Sequence, residues 1–401
     1  MKRLVFLLFS DEAIFNELIL SGIRVVAIRI RNLKHTKRMA ENTGTMNKLN
    51  SKSRKDLQPS TFLWGQYRPD KARYGFHATD AATARKWQHG TRQALARKIG
   101  LGVMPSVTPK ARLVETVDKQ DYVRQKLLIR TGADCLMPVY LLLPRKQPRP
   151  LPVVLAFHGH GYGVKDIVGL WEDGTERNTP DGYHKDFAVT LCRAGFAVAA
   201  PEISCFGERQ TDFSYLKGRP GRPGSPVPST CTHAAMLAFH LGVSVLGLRV
   251  HDAMRLVDYL ETRRDLDAGR LGAMGISGGG MHTFFSACLD PRIRACVVSG
   301  YYSTFRDSVL AMSHCACNFV PGLAEFGEMH DLAGLIAPRP MLVEAGNYDP
   351  IFPIDAVRRS VARARSVYGV FKAPGKVVTD YFEGRHQISG LKAYEFLKQE
   401  I

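Results

Sequence analysis

Arg270-Leu271-Gly272-Ala273-Met274-Gly275-Ile276-Ser277-Gly278-Gly279 carries an apolar run into a serine flanked by glycines, and Met281 to Leu289 can continue as a helix. A short buried strand, a sharp turn and a helix account for that order. In a turn of this kind the backbone is strained, the serine hydroxyl is lifted clear of the sheet, and flanking glycines remove side chains that would strike strand and helix. Gly275-Ile276-Ser277-Gly278-Gly279 therefore makes Ser277 a candidate nucleophile; an ordinary glycine-rich turn is the plainer alternative.

A serine nucleophile needs a base and an acid, and both follow in the chain. Arg339 to Ala345 reads as a buried strand, and the loop Gly346-Asn347-Tyr348-Asp349-Pro350 carries a carboxylate at its tip. A helical stretch from Ile354 to Tyr368 and a strand from Lys376 to Phe382 lead to Glu383-Gly384-Arg385-His386. Asp349 is the candidate acid and His386 the candidate base, in the order Ser, Asp, His. Glu344 and Glu383 compete with Asp349, but Glu344 lies inside a strand and Glu383 is too near His386 to come from a different strand end. Three loops that each follow a strand of a parallel sheet meet at one edge, where ligands of such sheets bind.

An attacked carbonyl also needs donors for its developing negative charge. Leu151 to Phe157 is a continuous apolar run ending in His158-Gly159-His160-Gly161-Tyr162-Gly163, whose glycines let the backbone approach a substrate. The amides of His160 and Gly278 are the expected pair, each worth about 2.7–4 kcal/mol in the transition state. His158, at the strand end, is read as structural.

Together these motifs resemble the α/β-hydrolase superfamily, and within it the bacterial serine esterases of the dienelactone-hydrolase-like and acetyl-xylan-esterase-like branch. The likeness runs from about Leu113 to the C-terminus and rests on His158 to Gly161, Gly275 to Gly279, Gly346 to Pro353 and His386. It implies an α/β-hydrolase fold, a mostly parallel central sheet flanked by helices, with Ser277, Asp349 and His386 acting on a small-molecule ester through an acyl-enzyme. No cofactor is expected, since the triad and the two donors supply the chemistry, and no metal. Dienelactone hydrolases carry cysteine where this chain has Ser277, and the deacetylases usually have glutamine where it has Gly278. Activity is expected to rise with pH as the imidazole loses its proton, because only a neutral ring can accept one.

The chain has 401 residues, 45% of them hydrophobic, enough for a large core. Residues 113–401 are read as the hydrolase domain, opening with an antiparallel meander from Leu113 to Leu143 broken at Asp118 to Asp121 and Gly132 to Asp134. Before it, residues 61–112 form a helical arm in which Ala81 to Ile99 reads as an amphipathic helix. Residues 1–60 carry 12 Lys/Arg against 5 Asp/Glu and are read as a basic extension, disordered from Met46 to Ser60, with translation starting at Met46. An insertion over residues 202–245, broken at its centre by repeated proline and glycine from Lys217 to Pro226, is read as a flap in which Glu208, Arg209 and His240 could meet substrate.

A net charge of +18 raises a non-catalytic alternative, a basic protein that binds anionic polymers. The charge is spread along the chain, however, and no zinc-finger, helix-turn-helix or RNA-binding aromatic signature accompanies it, so no specific nucleic-acid partner is expected. A peptidase-like hydrolase of the same fold is the second alternative. The eight cysteines show no disulfide spacing, and a reducing, cytoplasmic setting is expected. His314-Cys315-Ala316-Cys317 lacks the paired spacing of a structural zinc site and is read as reduced thiols in a pocket wall. No run reaches the length of a membrane span.

Overall fold

The computed structural model describes residues 55, 57–105, 107–213 and 229–401. The readings made for residues 1–54 and for the centre of the insertion lie outside them. The chain divides after Tyr67; ahead of that point the short helix α1, Pro59–Gln66, is described, and Arg68–Ile401 forms one unit.

Nine strands make one sheet: β1 (Ala111–Asp118), β2 (Tyr122–Gly132), β3 (Cys135–Pro144), β4 (Leu151–Phe157), β5 (Ala197–Pro201), β6 (Leu266–Ile276), β7 (Ala295–Ser299), β8 (Met341–Gly346) and β9 (Val377–Phe382). Their spatial order is β1-β2-β3-β5-β4-β6-β7-β8-β9. The first three form the expected meander, β3 meets β5 antiparallel, and every pairing from β5 through β4 to β9 is parallel. This is the α/β-hydrolase arrangement of a mostly parallel sheet between helices.

Strand β4 shows why an uninterrupted apolar run is needed at the centre. Alternation sends Leu151, Val153, Leu155 and Phe157 into one core and Val154 and Ala156 into the other, so both faces are covered. Each fully buried Val, Leu or Phe contributes roughly 1.5–3 kcal/mol of apolar burial. Strand β7 divides likewise, with Cys296 and Val298 on one side and Ala295 and Val297 on the other.

Besides the single turn Met329–Leu332, the α-helices that follow in chain order are α2 (Ala81–Lys98), α3 (Phe187–Arg193), α4 (Thr230–His240), α5 (Val245–Leu260), α6 (Gly278–Leu289), α7 (Ile354–Val370) and α8 (Ala393–Glu400). Helix α2 starts where Asp80 accepts from the amides of Ala82 and Thr83, both at 2.9 Å. It buries Ala84, Thr91, Ala94 and Leu95. Its polar side chains also hold it to the domain: Gln88 donates to the carbonyl of Gly334 at 2.6 Å, and Arg92 donates to those of Cys288 at 2.9 Å and Leu335 at 2.8 Å. The strand expected from Arg339 begins two residues later, at Met341. Arg339 instead turns its guanidinium onto the carbonyls of Ala287, Ile293 and Leu335, and Pro340 has no N–H for the ladder. Among the described residues no single helix is long and apolar enough to cross a membrane.

Candidate active site

Ser277 stands between β6 and α6 with φ 59° and ψ −121°, a conformation that a non-glycine residue adopts only under strain of about 1–3 kcal/mol. Its surroundings enforce it. The Ser277 amide donates to the Ser299 carbonyl at 3.0 Å, and its own carbonyl accepts from Met281 at 2.9 Å as the first turn of α6. The close packing of helix against sheet explains the glycines: a β-carbon at Gly279 would lie 1.9 Å from the Phe157 carbonyl oxygen, and one at Gly275 would lie 2.4 Å from that of Gly279. The side chain is nearly enclosed, with Ser277 only 9% exposed.

Asp349 and His386 follow β8 and β9, at the same sheet edge. The His386 Nδ1 lies 2.7 Å from Asp349 Oδ2. The other carboxylate oxygen, Oδ1, accepts from the amides of Ile351 at 2.8 Å and Phe352 at 3.1 Å, so Asp349 is anchored before it meets the imidazole. An acceptor-only carboxylate at Nδ1 assigns the ring proton to that nitrogen and leaves Nε2 as the acceptor. The ring is fitted over Gly300, where a β-carbon would lie 3.1 Å from His386 Cε1. Phe352 stacks on it with centroids 5.9 Å apart, and Tyr183 lies 5.5 Å away on a tilted plane.

The loop after β4 lies directly against the serine. A β-carbon at Gly159 would sit 3.1 Å from Ser277 Cβ and 2.8 Å from the Ile276 carbonyl oxygen, and one at Gly278 would sit 3.3 Å from the His160 ring. Glycine is required at Gly159, whereas at Gly278 a β-carbon would be tight only against the His160 ring. Neither the His160 nor the Gly278 amide donates to a backbone partner among the described residues, whereas the Gly159 amide is taken by His184 Nε2 at 2.8 Å. His160 and Gly278 are thus brought together as expected.

The loop is held from behind by a buried relay that sequence reasoning did not find. His184 Nδ1 approaches Asp166 Oδ2 at 2.9 Å, and Arg177 pairs with Asp166 and with Asp186. Burial pushes the His184 imidazole below its ordinary value despite that carboxylate, which fits a neutral ring accepting at Nε2. For Asp166, burial acts upward, but the hydrogen bonds with His184, Tyr162 and Arg177 outweigh it and hold the carboxyl below its usual range. Tyr183, also unanticipated, donates its hydroxyl to the His160 carbonyl and faces the same Gly159 approach as Ser277. These residues come from an irregular stretch after the strand, where no periodicity marks them.

Glu344 has a structural part. It is fully buried, and its carboxylate accepts from Ser299 Oγ at 2.7 Å and from the amides of Ser389 at 2.8 Å and Gly390 at 2.9 Å. It ties the His386 loop to two strand ends. Burial pushes its carboxyl above the ordinary value even though these three donors pull it down. In Glu344→Gln one oxygen becomes an NH2 facing an N–H or O–H donor, so stability is expected to fall by about 1–3 kcal/mol. Urea denaturation measures this, and an unchanged midpoint would show that the three bonds are dispensable.

Of the three residues expected to contact substrate, two form ion pairs within the domain. Arg209 pairs with buried Asp252 at 2.6 Å, and Glu208 pairs with Lys126 on β2 at 2.7 Å. Both tie the insertion to the body of the domain, because a loop-borne charge beside an opposite charge on a rigid element is more stable paired. His240 is exposed in the last turn of α4. His158 is fully buried and structural, with Nδ1 2.8 Å from the Gly159 carbonyl and Nε2 accepting from the Ile203 amide at 3.2 Å.

The thiols of the 314–317 segment have company that spacing could not disclose. Cys315 and Cys317 converge with Cys231 of α4 and with His160, the four ligand-type atoms lying within 4.8 Å of one another. His314 is not in this group.

Residues 64–379 match the model of the Abhydrolase family. By sequence the chain is similar to YtaP of Bacillus subtilis (strain 168), a hydrolase by name, at 28% identity over 280 residues, 67% of this chain and 84% of YtaP. By structure it is similar to BF1801 of Bacteroides fragilis NCTC 9343, named as an acetyl xylan esterase, with TM-score 0.65, 18% identity, and coverage of 81% of this chain and 82% of that one. It is also similar to a glucuronoyl esterase from Solibacter usitatus, with TM-score 0.57, 18% identity, and coverage of 82% and 95%. At such identities the structural likeness is one of fold.

Proposed function

The chain belongs to the Abhydrolase family of α/β-fold hydrolases, and from that premise we propose that it cleaves carboxylic esters of small acyl groups, acetyl esters first among them, through a Ser277-His386-Asp349 triad. The observation that carries this reading is the 2.7 Å pair between His386 Nδ1 and Asp349 Oδ2 at the sheet edge where Ser277 holds its strained turn.

In the first step His386 Nε2 takes the proton of Ser277 Oγ as that oxygen bonds to the ester carbonyl carbon. Asp349 stabilises the imidazolium that results. The carbonyl oxygen gains the displaced electron pair and is met by the amides of His160, whose loop the relay behind Gly159 fixes, and of Gly278, held at the start of α6. His386 then passes its proton to the departing alcohol, leaving an acyl-serine. Water repeats the sequence and releases the acid.

Two features support a short acyl group. Ser277 is nearly enclosed, and aromatic rings crowd its base, with Phe352 stacked on His386 and Tyr301 only 5.4 Å from Phe352. The names of the similar folds, acetyl xylan and glucuronoyl esterases, point to acylated or esterified carbohydrate as the substrates to try first. The test pairs p-nitrophenyl acetate, butyrate and octanoate with acetylated xylo-oligosaccharides, and treats the enzyme with a fluorophosphonate followed by peptide mass mapping. Turnover should fall with acyl length and the adduct should map to Ser277. Turnover with the adduct on another residue would refute the assignment.

A further inference from the structure

His160, Cys231, Cys315 and Cys317 come from three distant parts of the chain: the loop after β4, the first turn of α4, and the segment after β7. Their convergence is not a consequence of one local turn. Cys231 and Cys317 are buried, the other two are half-buried, and the Cys315 and Cys317 sulfurs are 3.2 Å apart. The His160 Nε2 is buried with no well-formed hydrogen bond among the described residues. One nitrogen and three sulfurs lie within 4.8 Å of one another, about the span of a zinc tetrahedron of thiolate and imidazole, whose edges are roughly 3.5–3.8 Å.

Charge gives an independent reason. Arg249 on α5 is fully buried, and its Nη2 lies 4.0 Å from Cys231 Sγ and 3.2 Å from the Ser204 carbonyl. Its Nε and Nη1 have no hydrogen-bond partner, and no carboxylate pairs with it among the described residues. Guanidinium cannot shed its proton in a protein, so an isolated one at this depth is costly. Three thiolates, a neutral imidazole and one divalent ion carry a net charge of −1, which cancels the +1 of Arg249.

We propose that His160, Cys231, Cys315 and Cys317 are the four ligands of a structural zinc ion, which clamps the loop after β4 to the insertion helix and to the segment after β7. Soft thiolates with one imidazole in a tetrahedral set favour zinc over the oxygen-seeking divalent ions. Each thiol gives up its proton to solvent on binding, and nothing is oxidised or reduced. With four protein ligands the set is closed, leaving no position for a reactive water. The ion would set the place of His160 and so of its amide; that consequence rests on the hydrolase reading, whereas the metal site rests on its ligands alone.

The test begins with full-length protein purified without chelator, analysed for metals by mass spectrometry. About one zinc per chain is expected. Cys315→Ser/Cys317→Ser should lose it, while Cys135→Ser, an exposed thiol outside the cluster, should keep it. Because the double variant could fail to fold, zinc in the unaltered protein is also exchanged for cobalt, and a thiolate-to-cobalt charge-transfer band with the visible bands of a tetrahedral ion is expected. Protein without stoichiometric zinc and without that band overturns the proposal. So does a disulfide joining any two of Cys231, Cys315 and Cys317, seen by mass after alkylation without reductant, and so does zinc retained by the double variant. None of these outcomes depends on esterase turnover, so loss of the metal site and loss of the hydrolase assignment are separately visible.

Discussion

Ser277→Ala is expected to lower kcat for p-nitrophenyl acetate by roughly 10⁴- to 10⁶-fold, with little change in KM. In the proposed mechanism the hydroxyl is the atom that forms the bond to the acyl carbon, so its removal closes the acyl-enzyme route. His386 would remain paired to Asp349 and the two amides would remain in place, so the residue of activity would come from transition-state stabilisation of attack by water. Folding should survive the change. Alanine at φ 59° is no more strained than serine, and the backbone bonds to Ser299 and Met281 do not involve the side chain. Steady-state kinetics and circular dichroism together decide the matter. A well-folded variant within about tenfold of the parent would mean that another group is the nucleophile.

How far the sequence discloses this site depends on whether a residue's position follows from a strand. Leu151–Phe157 and Ala295–Ser299 are legible residue for residue, because runs buried on both faces are bounded by histidine, glycine and proline turns. Ser277, Asp349 and His386 are legible for the same reason: each lies within four residues of the C-terminal end of a parallel strand, and chain order does the rest. Tyr183, His184, Asp166 and Arg177 are not. They belong to an irregular path between β4 and α3 whose contacts are set by the folded loop and leave no periodic trace. The thiol cluster fails differently. Metal-ligand motifs are recognised by close spacing, and here Cys231 lies far along the chain from both His160 and Cys315, so only the fold brings them into one place. Arg209 and Glu208 add a different case: their opposite charges on α5 and β2 lie far away in the chain, so the pairs that hold these loop residues are visible only in the fold.

Asp349→Asn is expected to reduce kcat by about 10³- to 10⁴-fold while leaving the fold intact, and the hydrogen bonds dictate why. In the unaltered protein Oδ1 accepts from two amides, those of Ile351 and Phe352, and Oδ2 faces His386 Nδ1. An asparagine must keep its carbonyl oxygen toward the two amides, because turning the NH2 to them would set donor against donor. Its NH2 is therefore directed at Nδ1, which must then be the acceptor. The ring proton moves to Nε2, the nitrogen that has to receive the proton of Ser277. The imidazole is present, correctly placed and in the wrong tautomer. Asp349→Ala removes the orienting group without imposing that tautomer, so it should be the milder of the two changes in kcat, although it gives up the two amide bonds and with them some stability. Kinetics of both variants, with the fluorophosphonate labelling rate of Ser277 as a second readout, separate this account from a purely structural role. Equal losses in turnover that track equal losses in stability would show that Asp349 only braces the loop.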